Sequence, residues 1–271
     1  MSKFSAGWGL ETQSMLGAII GDVIGSVHEG AGTKTKDFPL FVEGTTFTDD
    51  SVLTVAVAEW ILTGQNLVDL LHSYTRAYPG RGYGGMFQKW VRRRVREPYN
   101  SFGNGAAMRV SPVGFAFETI EEVLAWSKRS AEVTHNHPEG IRGAQAIATA
   151  IYLARRVRDK DQIRRTIESQ FFYDLSGRLD QIRPIYGFDE TCQGTVPQAL
   201  VSFFESTSFE DALRNAISLG GDADTLACIA GGVAEAYYGG TPQDLSRPVM
   251  AMLDERLVEV VDRFRERFGL L

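Results

Sequence analysis

A chain of 271 residues is long enough for one large domain with a substantial core, or for two small ones. Its composition, 44% hydrophobic and 23% charged, is that of an ordinary globular protein. A formal net charge of −6 argues against nonspecific attachment to nucleic acid or to an anionic membrane, both of which favour basic surfaces.

Residues 1–14 read as an N-terminal extension and 15–271 as one domain. No charged-then-apolar leader opens the chain, so no signal peptide is expected, and no apolar run approaches the roughly 18 residues of a membrane span. Helical periodicity then dominates. The first predicted helix, about 13–28, carries "GAIIGDVIGSVHEG" (17–30), glycine-spaced and apolar except at Asp22. Asp22 reads either as a buried polar group satisfied by backbone or a neighbouring helix, or as a functional acid. Glu29 stands at the helix C-terminus, against the dipole and before Gly30, which hints at a functional carboxylate.

Helices are expected next at 50–63, 66–78 (capped by Asn66) and 84–96. Between the last two, "GRGYGG" (80–85) lacks the Lys-Ser/Thr of a nucleotide P-loop and reads as a flexible rim whose Tyr83 touches ligand. The basic stretch 92–97 reads as a solvated face rather than a phosphate contact. In "SFGNGAAMRVSP" (101–112), Gly103 and Gly105 free the backbone for close approach, Asn104 tolerates left-handed geometry, and consecutive N–H groups suit an anion. Arg109 serves either phosphate or a structural ion pair.

Further helices are predicted at 119–131, 138–158 (with Pro138 at a favoured first position) and 160–171, then at 195–206, 209–219, 224–238 and 242–268. Ser208, with Asp211 three residues on, caps one, and Thr241 and Pro242 open the last. The polar stretch 172–194 is the longest irregular connection. Two helices rich in Ala and Gly, at 140–155 and 226–240, are placed centrally. His135 and His137 are too close in sequence to chelate one ion from a regular helix; His72 is structural. Cys192 and Cys228, without metal-like spacing, read as reduced thiols of a cytoplasmic protein. The expected fold class is all-α.

Two acidic clusters remain. "TFTDDSVL" (46–53) sets Asp49 beside Asp50 after Thr48 and before a helix. "SLGGDADTLACIAGG" (218–232) sets Asp222 and Asp224 either side of Ala223, with Thr225 following and two glycines before. The glycines permit a sharp turn with positive φ. Residues two apart do not share a helix face, so these aspartates converge only if Asp222 is still in the turn while Asp224 begins the helix. One anion at a helix start gains roughly 0.3–1 kcal/mol, which does not explain two pairs. Divalent cations do, because crowded carboxylates otherwise stay partly protonated. An all-oxygen donor set suits Mg²⁺ or Mn²⁺ better than zinc.

These motifs together resemble the ADP-ribosylglycohydrolases, the family that includes the hydrolase reactivating dinitrogenase reductase. "GAIIGDVIGSVHE", "TFTDDSVLTVAVAEWIL", "GRGYGG", "FGNGAAMRVSPVG", "THNHPEGIRGAQAIATAIYLA", "GTVPQALVSFFES" and "ISLGGDADTLACIAGGVAEAYYG" occur in family order over about 15–240. The resemblance implies one compact, orthogonal all-α domain with a two-metal cleft. It implies Thr48, Asp49, Asp50, Asp222, Asp224 and Thr225 as ligands of two divalent ions, Mg²⁺ or Mn²⁺, and Glu29 as the catalytic carboxylate beside them, acting as general acid, as general base or to orient water. It makes the segment containing Gly103, Asn104, Gly105 and Met108 the substrate loop, with His135 a pocket residue. The implied reaction is hydrolysis of the glycosidic bond between ADP-ribose and an acceptor on a protein or small molecule, with arginine as first choice. Serine-linked ADP-ribose, O-acetyl-ADP-ribose and a nucleobase adduct are the alternatives, and the competing readings are a metal-dependent nucleotide phosphohydrolase and a non-catalytic protein that kept the fold.

Overall fold

The computed structural model describes residues 10–11 and 15–268. The chain runs β1 (Leu10–Glu11), α1 (Leu16–Gly25), α2 (Asp49–Thr63), α3 (Leu67–Ala77), α4 (Gly85–Arg92), α5 (Gly105–Met108), α6 (Ser111–Ala116), α7 (Ile120–Glu132) and α8 (Pro138–Arg156). It continues through α9 (Lys160–Phe171), α10 (Leu179–Ile182), α11 (Cys192–Phe204), α12 (Phe209–Ile217), α13 (Ala223–Tyr238), β2 (Thr241–Pro242), α14 (Gln243–Met252) and α15 (Glu255–Phe268). The expected all-α class holds. The two short strands pair antiparallel, which ties Leu10 and Glu11 of the N-terminal extension to the segment after α13. The rest of residues 1–14 lies outside the described residues. Among the described residues no helix is long and apolar enough to cross a membrane.

The centre of the molecule is the antiparallel pair α1 and α13. Every residue of α1 is buried, as the sequence "LGAIIGDVIG" requires of a helix apolar on all sides. Glycines make the approach close. A Cβ at Gly17 would overlap the carbonyl of Gly231, one at Gly21 would overlap the carbonyl of Ala227, and one at Gly25 would lie 2.5 Å from the Cα of Asp224. Glu235, fully buried in α13, accepts the N–H of Gly17 at 2.7 Å and so satisfies a donor at the start of α1. The contact runs the length of α1. It carries the C-terminal end of α1 and the residues after it onto the N-terminus of α13.

Several boundaries differ from the sequence reading. Helix α4 stops at Arg92, not near 96, because Arg94 takes a left-handed φ of 54° and the Trp90 indole donates to the carbonyl of Glu97. The basic stretch beyond it is exposed and Arg96 pairs with Asp69, in keeping with a solvated face. The expected helix 242–268 is two helices: Asp254 accepts the N–H of Leu257 at 3.0 Å and caps a new start after the break at Leu253. The short helices α5, α6 and α10 carry too few turns to show a periodicity. Caps at Asn66 and Ser208 form as expected. Cys192 and Cys228 are free and buried.

Replacing Gly21 with alanine places a methyl in the α1–α13 contact and is expected to cost about 1–3 kcal/mol in urea unfolding. Gly187→Ala, where a Cβ meets nothing within 4 Å, is expected to change stability by less than about 0.5 kcal/mol.

Candidate active site

The turns after α1, the N-termini of α2, α4 and α13, the 99–105 segment and the loop before α11 enclose one open cleft. It is lined by Glu29, Asp49, Asp50, Asp222, Asp224 and Thr225 on one side, and by Gly103, Asn104, Gly105, Met108 and His135 on the other. The two acidic clusters, about 170 residues apart in the chain, thus share one wall. Carboxylate oxygens of Glu29, Asp222 and Asp224 lie within 4.8 Å of one another. Asp222 sits at the N-cap of α13 and Asp224 in its first turn, the arrangement their spacing demands. Gly220 supplies the positive φ, 67°, while at Gly221 a Cβ would collide with the Tyr186 ring.

Asp22 organises the other cluster. Fully buried, its Oδ1 accepts the Thr48 hydroxyl at 2.5 Å, and its Oδ2 accepts the N–H groups of Thr48 (2.9 Å) and Ser51 (3.0 Å) and the Ser51 hydroxyl. One carboxylate from α1 therefore fixes the N-terminus of α2 and with it Asp49 and Asp50. This is the buried, satisfied polar group of the sequence reading. The part played by Ser51 left no sequence signal. Thr48 is the N-cap of α2, its oxygen accepting the N–H of Asp50 at 3.3 Å. It is not among the residues lining the cleft, and one lone pair of its oxygen stays uncommitted.

The substrate-loop residues are held differently from the sequence expectation. Gly103 and Gly105 do not have positive φ, and Asn104 is right-handed (φ −70°). The glycines are there for space: a Cβ at Gly105 would lie 3.1 Å from Nε2 of His135. The N–H of Gly103 already donates to Oγ of Ser101 (3.1 Å) and that of Asn104 to the carbonyl of Glu190 (2.7 Å), so these two amides do not form an anion nest. The Asn104 side chain instead donates to Thr195 Oγ1 (3.0 Å) and to Asp222 Oδ2 (2.8 Å), coupling the loop to the acidic wall.

Tyr83 is not a rim residue. It is 4% exposed, stacks on Phe87 with centroids 5.9 Å apart, and leaves the rim to Gly82, Gly84 and Gly85. Nor is the segment loose at Arg81, whose carbonyl accepts the N–H of Asp49 at 2.7 Å and whose guanidinium holds Thr46 and the Phe47 carbonyl. Arg109 is fully buried and makes no ion pair among the described residues: Nη2 donates to the Ser130 carbonyl and to Thr134 Oγ1, both at 2.8 Å. His137 caps α8 through its Nδ1. Met86, Phe102 and Phe188, exposed apolar residues on three separate segments, complete the rim; nothing in their local sequence marked them.

Among the described residues no lysine or arginine pairs with Glu29, Asp49, Asp50, Asp222 or Asp224. Asp50, 2% exposed, leaves Oδ2 buried without a hydrogen-bond partner. Burial first, then repulsion from Asp22 and Asp222, holds the Asp49 carboxyl well above its ordinary value. Burial, then Asp22 and Asp49, does the same to Asp50, and burial, then Asp50 and Asp222, to Asp224. Glu29 is raised by burial, then by Asp222 and Asp22. A buried oxygen-only donor set with an orphaned carboxylate oxygen fits hard divalent cations.

The sequence model described as ADP-ribosylglycohydrolase matches residues 12–270. The ADP-ribosylhydrolase ARH3 of Mus musculus is 26% identical, over 83% of this chain and 82% of the mouse protein, and that of Xenopus tropicalis is 28% identical, over 83% and 86%. The ADP-ribosylarginine hydrolase Tri1 of Pseudomonas putida is 26% identical over 83% of this chain and 70% of its own length. A solved structure titled ADP-ribosylglycohydrolase-related protein complex superposes with a TM-score of 0.66 at 22% identity, covering 93% of this chain and 97% of that one, which shows a shared fold.

A carboxyl held above its ordinary value, about 4 for an aspartate, binds its proton more tightly folded than unfolded. The cation-free fold therefore loses this contribution as pH rises from about 4 through the raised values. Saturating Mg²⁺ or Mn²⁺ is expected to raise the melting temperature more at about pH 8 than at about pH 5, by displacing protons. Asp224→Ala is expected to shrink that increment and lower the bound-metal count by elemental analysis; an unchanged count contradicts the assignment.

Proposed function

The chain belongs to the ADP-ribosylglycohydrolase family, and from that premise we propose that it hydrolyses the glycosidic bond between ADP-ribose and an acceptor, releasing ADP-ribose. The observation that carries this reading is the meeting of Glu29 with Asp222 and Asp224 in the same cleft as the 103–105 loop. Two divalent cations, Mg²⁺ or Mn²⁺, would be held by Thr48, Asp49, Asp50, Asp222, Asp224 and Thr225. When bound, they supply Lewis-acid polarisation and orientation of sugar hydroxyls and water.

The chain's own groups divide the remaining work. The anomeric carbon of a ribosyl bond gains oxocarbenium character as its acceptor leaves, and water must reach it. Glu29 is the exposed acid of the cluster, able to hold or take up a proton at its carboxylate beside that carbon. Asn104 orients Asp222 and joins the ligand loop to the acidic wall. Met86, Phe102 and Phe188 offer apolar surface for a base. Gly105 leaves room for the ligand next to His135.

An arginine-linked acceptor is the first choice. Among the residues lining the cleft Arg109 is the only arginine or lysine, and it is fully buried, so a guanidinium leaving group meets Glu29 and Glu190 without a competing cation at the mouth. Tri1, whose name specifies ADP-ribosylarginine, supports this choice; the ARH3 relatives are named ADP-ribosylhydrolases without a linkage, so serine-linked and O-acetyl-ADP-ribose stay in the comparison. A cytoplasmic setting accords with the two free thiols.

Mass spectrometry of arginine-, serine- and acetyl-linked ADP-ribose incubated with the protein, with and without Mn²⁺ or Mg²⁺, is expected to show metal-dependent free ADP-ribose, fastest from arginine. Release of inorganic phosphate from a nucleotide instead favours a phosphohydrolase, and release of nothing favours a binding protein. Glu29→Gln is expected to lower turnover by about 10²–10⁴-fold with the melting temperature and metal content preserved. Turnover at the parent rate removes Glu29 from the chemistry.

A further inference from the structure

Among the described residues Arg109 is the largest fully buried side chain, and no carboxylate pairs with its charge. Its Nε and Nη1 have no hydrogen-bond partner. Both hydrogens of Nη2 are used, one on the carbonyl of Ser130 and one on the hydroxyl of Thr134. Thr134 is itself fully buried, and its Oγ1 lies 2.8 Å from Nδ1 of His135. The other ring nitrogen, Nε2, is the atom that a Cβ on Gly105 would meet at 3.1 Å and one on Gly103 at 3.6 Å, so it faces the loop on the cleft wall.

We infer that Arg109 and Thr134 form a buried hydrogen-bond relay that fixes the ring proton of His135 on Nε2, so that the imidazole offers the ligand an N–H donor beside the 103–105 loop. The direction follows from what each group can do. A guanidinium only donates, so Thr134 accepts from Arg109. The Thr134 hydroxyl hydrogen then needs an acceptor, and Nδ1 of His135 is the acceptor within reach. With the proton on Nδ1 instead, the hydroxyl hydrogen of a fully buried threonine would be left without a partner, and the face of the ring toward the cleft would accept rather than donate. A second proton on the ring is opposed by burial and then by the Arg109 charge, which together push His135 well below its ordinary value. The unpaired guanidinium thus has a use: it orients one hydroxyl and keeps the ring singly protonated.

The relay is joined to the loop it serves. The Thr134 carbonyl accepts the N–H groups of Tyr99 and Ser101, both at 3.4 Å, and Ser101 Oγ accepts that of Gly103. Arg109 and Thr134 are therefore positioning residues acting through His135. That the donor meets an oxygen of ADP-ribose rests on the function proposed above.

Nitrogen-15 NMR of the labelled, Mg²⁺-loaded protein reads the tautomer directly, and calorimetry reads ADP-ribose affinity. The wild type is expected to show a protonated Nε2 and an unprotonated Nδ1 at His135. Thr134→Val, which removes the hydroxyl and keeps the shape, is expected to mix the tautomers and weaken ADP-ribose binding about three- to tenfold. Thr134→Ser is expected to restore both, and Mg²⁺ binding is expected to stay unchanged in either variant. A proton on Nδ1 in the wild type overturns the relay whether or not the variants fold. A Thr134→Val protein that keeps both the tautomer and the affinity also overturns it. A wild type with the expected tautomer but no affinity for ADP-ribose leaves the relay standing and sinks the functional reading instead.

Discussion

The structure depends on how closely α1 and α13 approach. Gly17, Gly21, Gly25 and Gly231 remove the side chains that would hold the helix backbones apart, and the backbones meet along the whole of α1. Because the helices run antiparallel, the end of the contact places the turn carrying Glu29 against the start of α13, where Asp222 and Asp224 sit. Asp22, one turn before the end of α1, reaches sideways and fixes the start of α2 with its two aspartates. A single apolar helix thus serves as ruler for every acid in the site. A larger residue at Gly21 would displace the carboxylates as well as the core.

What results is electrostatically costly without help from outside the chain. Carboxylates converge in a largely buried wall, no basic side chain among the described residues pairs with them, and burial followed by mutual repulsion raises the proton affinities of Asp49, Asp50 and Asp224. Folding places them there because the packing of α1, α2 and α13 outweighs the repulsion, and a crowded oxygen-only set of this kind could hold a divalent cation. The opposite wall has the complementary imbalance: Arg109 is a buried cation with no anion in contact.

Much of this was legible in the sequence. The acid pairs announced themselves because one helix start needs only one carboxylate, and the Gly-Gly turn before Asp222 showed how two aspartates separated by one residue converge. The small-residue helix 226–240 marked the centre. What failed did so for stated reasons. Glycine in the 103–105 loop has two uses, freedom of φ and absence of Cβ, and sequence does not distinguish them; here it is the second. Tyr83 sits between glycines like a rim residue, yet its ring stacks inward on Phe87. The break at Leu253 and Asp254 was written as a capping aspartate inside a continuous apolar pattern. The relay from Arg109 to His135 joins residues that are distant in the chain, so only the folded protein displays it.

Anomalous diffraction from crystals grown with Mn²⁺ tests the central claim most directly. The account predicts two manganese peaks between the starts of α2 and α13, bounded by Asp49, Asp50, Asp222 and Asp224. An empty wall at saturating Mn²⁺, or peaks only elsewhere on the molecule, would contradict it.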